Sequence, residues 1–383
     1  MRVRARAAMV VLAALLLVPL AASTPALAAD PGTPWTWGSN SFGELGDGTT
    51  VDHVTAAPAA GFPSADAVEL GGGREHVVAL RADGTVWTWG SSQYGQLGSG
   101  GTANRPAPGQ VTGLAGVVQV AGGHYHSMAL LGDGTVRTWG MNGQGQLGDA
   151  TRTRRLRPVQ VRNLTGVAQV AGGRGHSLAI RTDGSVWAWG YNAFGELGDG
   201  SLTSRTTPVR TVGLSDVVQV AGGRDHSLTL LADGTVWAFG HNAYGQLGDG
   251  TTTHRSSPVR AGTLTGVVAI AAGAYHSLAL LADGTVRSWG RNNLGQLGDG
   301  TLTRRTTPVP VRSLSGVTAI GCGRDHGLAV LGDGTARSWG ANSFGQLGDG
   351  TTTNRTSPVA VSGLTGVSAM TAGRGYSAAL VIA

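Results

Sequence analysis

Seven copies of one pattern run through the chain. A Trp-Gly or Phe-Gly step ends at Gly38, Gly90, Gly140, Gly190, Gly240, Gly290 and Gly340, spaced by 52 residues once and by 50 thereafter. A second marker, His76, His126, His176, His226, His276, His326 and then Tyr376, keeps the 50-residue step throughout. These units fill residues 34–383 without a long linker. Repetition at such a period means that each unit is one supersecondary element that buries its apolar side only against its neighbours.

The unit reads as strands. Val217–Ala221 is a short β-rich run and His226–Leu231 a second. Ala232-Asp233-Gly234-Thr235 is a tight turn, because Asp-Gly tolerates positive φ and favours hairpins. Val236–Phe239 alternates, a Gly-rich loop follows, and a last short strand lies around Pro258-Val259-Arg260. Four short strands joined by turns make an antiparallel meander, and seven such sheets at a fixed period make a propeller. The chain begins in mid-unit with Trp35-Thr36-Trp37-Gly38 and stops in mid-unit with Tyr376–Ile382. Each fragment is what the other lacks. The expected fold is therefore an all-β, seven-bladed propeller of four-stranded antiparallel blades, closed by pairing of the N- and C-terminal strands, which leaves no open edge. Composition agrees. Gly makes up 65 of 383 residues without a Gly-X-Y period, and charged residues are only 13%, too few for a helical bundle. A single Cys excludes an internal disulfide.

Residues 1–28 read as a secretory signal peptide. Arg2, Arg4 and Arg6 precede an apolar run, and Ala26-Leu27-Ala28 is a small-x-small cleavage signal. The expected mature protein is 29–383, a single propeller, secreted, with no membrane span after cleavage. Losing three Arg lowers the formal charge from +6 to +3, so nucleic acid is not indicated as a partner. All 28 basic residues are Arg.

The pieces His276-Ser277-Leu278-Ala279-Leu280, Asp283-Gly284-Thr285-Val286, Trp289-Gly290-Arg291-Asn292 and Gly295-Gln296-Leu297-Gly298-Asp299-Gly300 recur in order and in phase. They resemble the regulator of chromosome condensation repeat family over essentially all of 34–383. The resemblance implies a seven-bladed propeller. It also brings in a guanine-nucleotide exchange activity, which in that family depends on an inserted β-wedge. No spacing here exceeds 52 residues, so the wedge is missing, which weighs against exchange activity, as does the export signal described above. Relatives of similar architecture include secreted inhibitors of β-lactamases and a plant ultraviolet photoreceptor. The photoreceptor's Gly-Trp-Arg-His-Thr motif is replaced here by Gly223-Arg224-Asp225-His226-Ser227.

Catalytic and metal chemistry find little support. The repeated His occupy one equivalent place per blade, too far apart to share a metal that needs ligands about 2 Å from one centre. They are expected to make hydrogen bonds between blades. In each His-Ser pair the neighbours point to opposite faces of a strand, so they are not a nucleophile and its base. Asp83, Asp133, Asp183, Asp233, Asp283 and Asp333 belong to hairpin turns, and Asp47, Asp149, Asp199, Asp249, Asp299 and Asp349 to the Gly-Asp-Gly loops. Arg205, Arg255, Arg305 and Arg355 each follow a loop Asp by six residues and are expected to pair with it. Trp87, Trp89, Trp187 and Trp189 are expected to pack between blades, and Cys322 to be a buried inert thiol. Arg152, Arg154, Arg155 and Arg157 break the pattern and read as a solvated loop. No cofactor, metal or catalytic residue is expected, and the protein is not expected to be an enzyme.

A binding face remains. Successive turns of a meander fall on alternate ends, so the turn before each His and the long loop after each Trp-Gly share one face. That face carries Arg74, Arg174, Arg224, Arg324 and Arg374 at one repeat position, with His124 and Ala274 in the other two blades. Beside them the residue varies, with Tyr125 and Tyr275 among it, and the long loops add Tyr191, His241 and Arg291. A constant scaffold with blade-specific loop residues suits recognition, and Arg and Tyr are favoured interface anchors. The expected function is a non-catalytic protein-binding scaffold, monomeric, using these ten residues. The alternatives are inhibition of an exported hydrolase such as a β-lactamase, or binding of cell wall or carbohydrate, with guanine-nucleotide exchange by family analogy a less favoured one.

Overall fold

A computed structural model describes residues 31–382. The proposed signal peptide lies outside the described residues. Within them the chain forms seven four-stranded antiparallel sheets and no helix. Blade 4 shows the plan: Val217–Gly222, His226–Leu231, Val236–Gly240 and Arg255–Arg260 pair in sequence order. Blades 1 to 6 begin at Ala67, Val117, Val167, Val217, Val267 and Val317. Blade 7 is composite. Its two inner strands, Val367–Ala372 and Tyr376–Val381, come from the C-terminus, and its two outer strands, Thr33–Gly38 and His53–Pro58, from the N-terminus. The seam between them runs in continuous register from Thr33↔Val381 to Gly38↔Tyr376, so the ring closes as the two half-units imply.

No blade has a core of its own. Leu228, Leu230 and Val236 of blade 4 pack against Val267, Ile270, Ala279 and Trp289 of blade 5, and equivalent clusters fill every other gap between blades. The innermost strands approach so closely that a Cβ on Gly222 would lie 2.7 Å from the backbone of Gly172. One residue on, the imidazole of His226 lies over Gly223, where a Cβ would meet it at 2.2 Å. The second Gly of this step, present before every one of the six His, is therefore a steric requirement, while the first is Ala272 or Cys322 in two blades.

A polar relay crosses each gap. His226 Nε2 lies 3.0 Å from Ser277 Oγ of the next blade. That hydroxyl donates to the Gln246 carbonyl at 2.9 Å, and the Trp289 indole N–H donates to the same carbonyl at 2.8 Å. Ser has one proton to give, so His226 is the donor to Ser277. The same His–Ser bond joins His76 to Ser127, His126 to Ser177, His176 to Ser227 and His326 to Ser377. The expected inter-blade role of the His is thus present. Complete burial pushes His226 down to about 3 and, against the opposing field of Asp325, His276 to about 4, so the rings are neutral. With the Ser proton committed to a carbonyl and both groups sealed from solvent, the pair has no nucleophile to activate.

Two gaps differ. Between blades 7 and 1 Val77 has no hydroxyl, and Tyr376 replaces His, its single phenol proton shared between the carbonyls of Gly73 and His76. Between blades 5 and 6, Gly327 stands where Ser is needed, and His276 Nε2 is buried without a partner. His226→Ala and His276→Ala remove the same ring, but only the first removes an inter-blade bond. The second also relieves a stranded N–H. We expect His276→Ala to destabilise less than His226→Ala by about 1–3 kcal/mol in denaturant unfolding. Equal losses would show that the relay does not stabilise the ring.

Candidate functional site

The expected binding face is one surface. The backbone N–H groups of Ser91, Met141 and Tyr191, just after the Trp-Gly steps, bond the carbonyls of Glu75, Tyr125 and Gly175, just before the His. On the opposite face the Asp-Gly hairpins close as read. Asp233 Oδ1 accepts from the Thr235 N–H at 2.9 Å and from its hydroxyl. The loop Asp also behave as expected. Asp249 Oδ1 accepts from Asn242 and Thr251, while Oδ2 takes Arg255 at 2.8 Å. Arg205, Arg305 and Arg355 repeat the pairing. Arg155, read as part of a solvated cluster, pairs with Asp149 in the same way, at 2.7 Å. These Arg are structural.

The Arg of the binding face are arranged differently. Their backbones form a collar: Arg74 N–H bonds the His124 carbonyl, Arg224 the Gly273 carbonyl, Arg324 the Gly373 carbonyl, and Arg374 the Arg74 carbonyl. The collar surrounds the mouth of an axial cavity of ≈ 130 Å³, walled by Gly and Ala, with Arg74, Arg224, Arg324, Arg374 and His124 at its rim. Arg174 belongs to the collar but does not line the cavity. Cys322 lines it and is partly exposed there, which corrects the expectation of full burial. The surrounding protein still pushes its thiol pKa up, so it is unreactive at neutral pH.

Three carboxylates serve six guanidiniums. Glu75 lies 3.3 Å from both Arg74 and Arg374, and Asp225 lies 3.3 Å from both Arg174 and Arg224. Asp325 lies 3.2 Å from Arg324 and 3.9 Å from Arg291. The acids are nearly covered, at 5–13% exposure, while the Arg keep 27–46%. The carboxylates sit at the variable position beside the Arg, and their shared use has no signature within one repeat.

Aromatic side chains flank the mouth on one side. His241, Tyr244 and Tyr275 form one cluster, with centroids 4.9 Å apart for Tyr244–Tyr275 and 5.6 Å for His241–Tyr275. His254 stacks on His241, and Phe194 abuts both His and Tyr191. Arg224 lies over Tyr275 at 5.1 Å, and Arg291 over Tyr244 at 5.5 Å. Thus Arg224, Arg291, Tyr275, His241 and Tyr191, named from sequence, do converge. Tyr125 stands apart, under Arg74 and against Tyr94. Phe194, Tyr244 and His254 were missed. A signal existed: the residue before the loop Gly is Phe42, Tyr94, Phe194, Tyr244 or Phe344 in five of the seven repeats. Among the described residues no group of three His, Cys, Asp or Glu is placed to hold a metal. The described residues contain no helix, and so none long and apolar enough to cross a membrane.

The model of the RCC1-like domain matches residues 27–379. The chain belongs to that family. Its similarity to curated members is local: 35% identity over 80 residues with the Ultraviolet-B receptor UVR8 of Arabidopsis thaliana, covering 21% of this chain and 18% of that protein. With the E3 ubiquitin-protein ligase HERC2 of Homo sapiens it is 33% over 79 residues, 20% of this chain and 2% of that protein. The matches thus span a small part of those relatives' own lengths. Among solved structures, Prp20p of Saccharomyces cerevisiae superposes with a TM-score of 0.83 at 24% identity over 92% of each chain. Human WBSCR16 gives 0.82 at 24%, covering 91% of this chain and 98% of that one. At these identities the likeness shows the fold alone.

Two loops of this RCC1-like domain carry an acid where the repeat has Gln. Glu44 Oε2 accepts from the Phe42 N–H, and Glu196 Oε2 from the Phe194 N–H, as Gln246 Oε1 does from Tyr244. Burial raises Glu44 from 4.5 to about 7 and Glu196 to about 8, with the field of Asp225 adding to the latter. The folded protein therefore holds these protons more tightly than the unfolded chain does. Stability attributable to them is complete below pH 4.5 and is lost as pH rises towards 7–8. A Glu44→Gln/Glu196→Gln variant should match the parent at pH 4. Its advantage should grow to the order of a few kcal/mol by about pH 8.5, read as thermal midpoints across pH. A pH-independent difference would contradict neutral acids at these positions.

Proposed function

We propose that this RCC1-like propeller is a binding scaffold that engages a protein partner through the face bearing the axial Arg collar and the Phe194–His241–Tyr244–Tyr275 cluster. The observation that carries the reading is the convergence of Arg224, Arg291, His241 and Tyr275 into one patch built from blade-specific residues on a repeated frame. The repeat itself does not require those side chains, since equivalent positions hold Gly175, Ala274 and Ala341. Rigid aromatics and stacked Arg lose little side-chain entropy on docking and supply the anchors on which interfaces depend. Solved relatives support the class of ligand: yeast Prp20p was described with its binding to Gsp1p and histones, and in complex with Kap60. A non-enzymatic role follows from the same reading.

Immobilised protein and a Tyr244→Ala/Tyr275→Ala/Arg291→Ala variant are to be compared for capture from secreted and envelope extracts, with the retained protein identified and its affinity measured. Loss of central anchors should weaken binding by about 30-fold or more. Equal affinity for both forms would remove this face from consideration.

Export is part of the proposal and rests on the Arg2–Arg6, apolar run and Ala26-Leu27-Ala28 sequence. Expression of the full chain in a secreting bacterium should deliver to the medium a product whose N-terminus is Ala29. Retention of an uncut chain inside the cell would refute it.

A further inference from the structure

The six Arg and three carboxylates of the mouth do not cancel. Each acid is held by two guanidiniums, so the three triplets leave three positive charges. Four of the Arg line a single cavity of ≈ 130 Å³. The carboxylates are not among its lining residues, so it meets the cationic side of each group. The mutual repulsion registers at Arg74, whose pKa is lowered by burial and further by Arg374, Arg324 and Arg224. His124 on the same rim is held neutral by burial and by Arg74, Arg224 and Arg174. The backbone N–H groups of the collar are already used between blades, so the donors these Arg have left for a ligand at the mouth are their guanidiniums rather than a backbone nest. Guanidiniums gathered around a small, polar, partly enclosed space are suited to an oxyanion, which takes charge-assisted bonds from several of them at once. The space admits a phosphate or carboxylate group and is too small for a nucleotide.

We infer that the axial mouth is an oxyanion site, formed by Arg74, Arg224, Arg324 and Arg374, for a phosphate or carboxylate group that enters either free or on a partner's surface. The second source deepens the protein-binding reading by giving the partner an acidic or phosphorylated residue at the centre of the interface. The first does not depend on that reading.

The shared acids permit a clean test. Arg74→Gln/Arg224→Gln/Arg324→Gln empties the rim of three cations and still leaves Glu75 with Arg374, Asp225 with Arg174 and Asp325 with Arg291. Arg174→Gln/Arg291→Gln lowers the charge from outside the cavity. Full-length protein is titrated calorimetrically at low ionic strength with inorganic phosphate and, separately, with hexaglutamate. The site predicts saturable one-to-one binding that the rim variant weakens by about tenfold or more and the outer variant by about threefold or less. Phosphate binding identifies a free oxyanion as sufficient, whereas binding of hexaglutamate alone assigns the anion to a protein side chain. The single Arg374→Gln variant, which leaves Glu75 paired with Arg74, gives a milder form of the test should the triple variant unfold. Absence of saturable binding by either probe, or equal weakening by the two variants, overturns the site. Because the phosphate arm needs no partner, its failure leaves the protein-binding reading standing, and a failed capture leaves the oxyanion site standing.

Discussion

The ring depends on contact between blades, because a four-stranded sheet of this size cannot bury itself. Each gap has an apolar layer, four of the seven add the complete His–Ser–carbonyl–Trp relay, and the relay sets the geometry. A hydroxyl and an indole N–H of one blade meet a single loop carbonyl of its neighbour, and that loop is the Gly-Gln-Leu-Gly stretch. The loop is thereby fixed to the next blade as well as to its own. In the low dielectric of the gap, an unmet donor would be costly, so each blade has one favoured position against the last. Phe239, which replaces the Trp, keeps the apolar contact while giving up one donor of the relay.

Fixing the loops in this way also builds the face. The carbonyl and the loop tip belong to the same few residues, so the aromatic residues before the loop Gly are presented from rigid supports. The innermost strands, forced together by their Gly, bring the Arg positions around one axis. Their side chains could then be neutralised only by acids on the same turns, and there are three of these for six Arg. The positive mouth is a consequence of ring geometry acting on a repeated Arg.

Much of this was legible in the sequence. The strands, the turn chemistry of Asp233 and its equivalents, the pairing of Arg255 with Asp249 and the composite closing blade all follow from signals within one repeat or from the chain ends. What was not legible lies between repeats. His226 and Ser277 are 51 residues apart, and nothing within a unit announces that the two face each other. The sharing of Asp225 by Arg174 and Arg224 is of the same kind. Tyr244 and Phe194 were readable at a recurring position but were absorbed into the description of a Gly-rich loop. Cys322 looked like a small buried filler because the axial cavity exists only once seven inner strands are assembled.

The departures from the repeat separate structural from functional variation. Between blades 7 and 1 two changes answer each other: Val77 lacks the hydroxyl, and Tyr376 supplies its own. The longer phenol reaches backbone carbonyls that any residue would present. The unanswered change, Gly327 opposite His276, leaves a stranded donor and marks one gap as weaker than the rest. On the proposed binding face the pattern reverses. Tyr275, His241 and Arg291 replace residues that other blades leave small, and no relay or core contact of the ring calls for them. Glu44 and Glu196 go further, since an isosteric Gln at the same place in other blades makes the same bond without a titrating group. Variation that the fold neither needs nor compensates is concentrated on one end of the propeller, around a mouth whose charge the protein itself leaves unbalanced, and that coincidence is the physical reason for assigning recognition to this end.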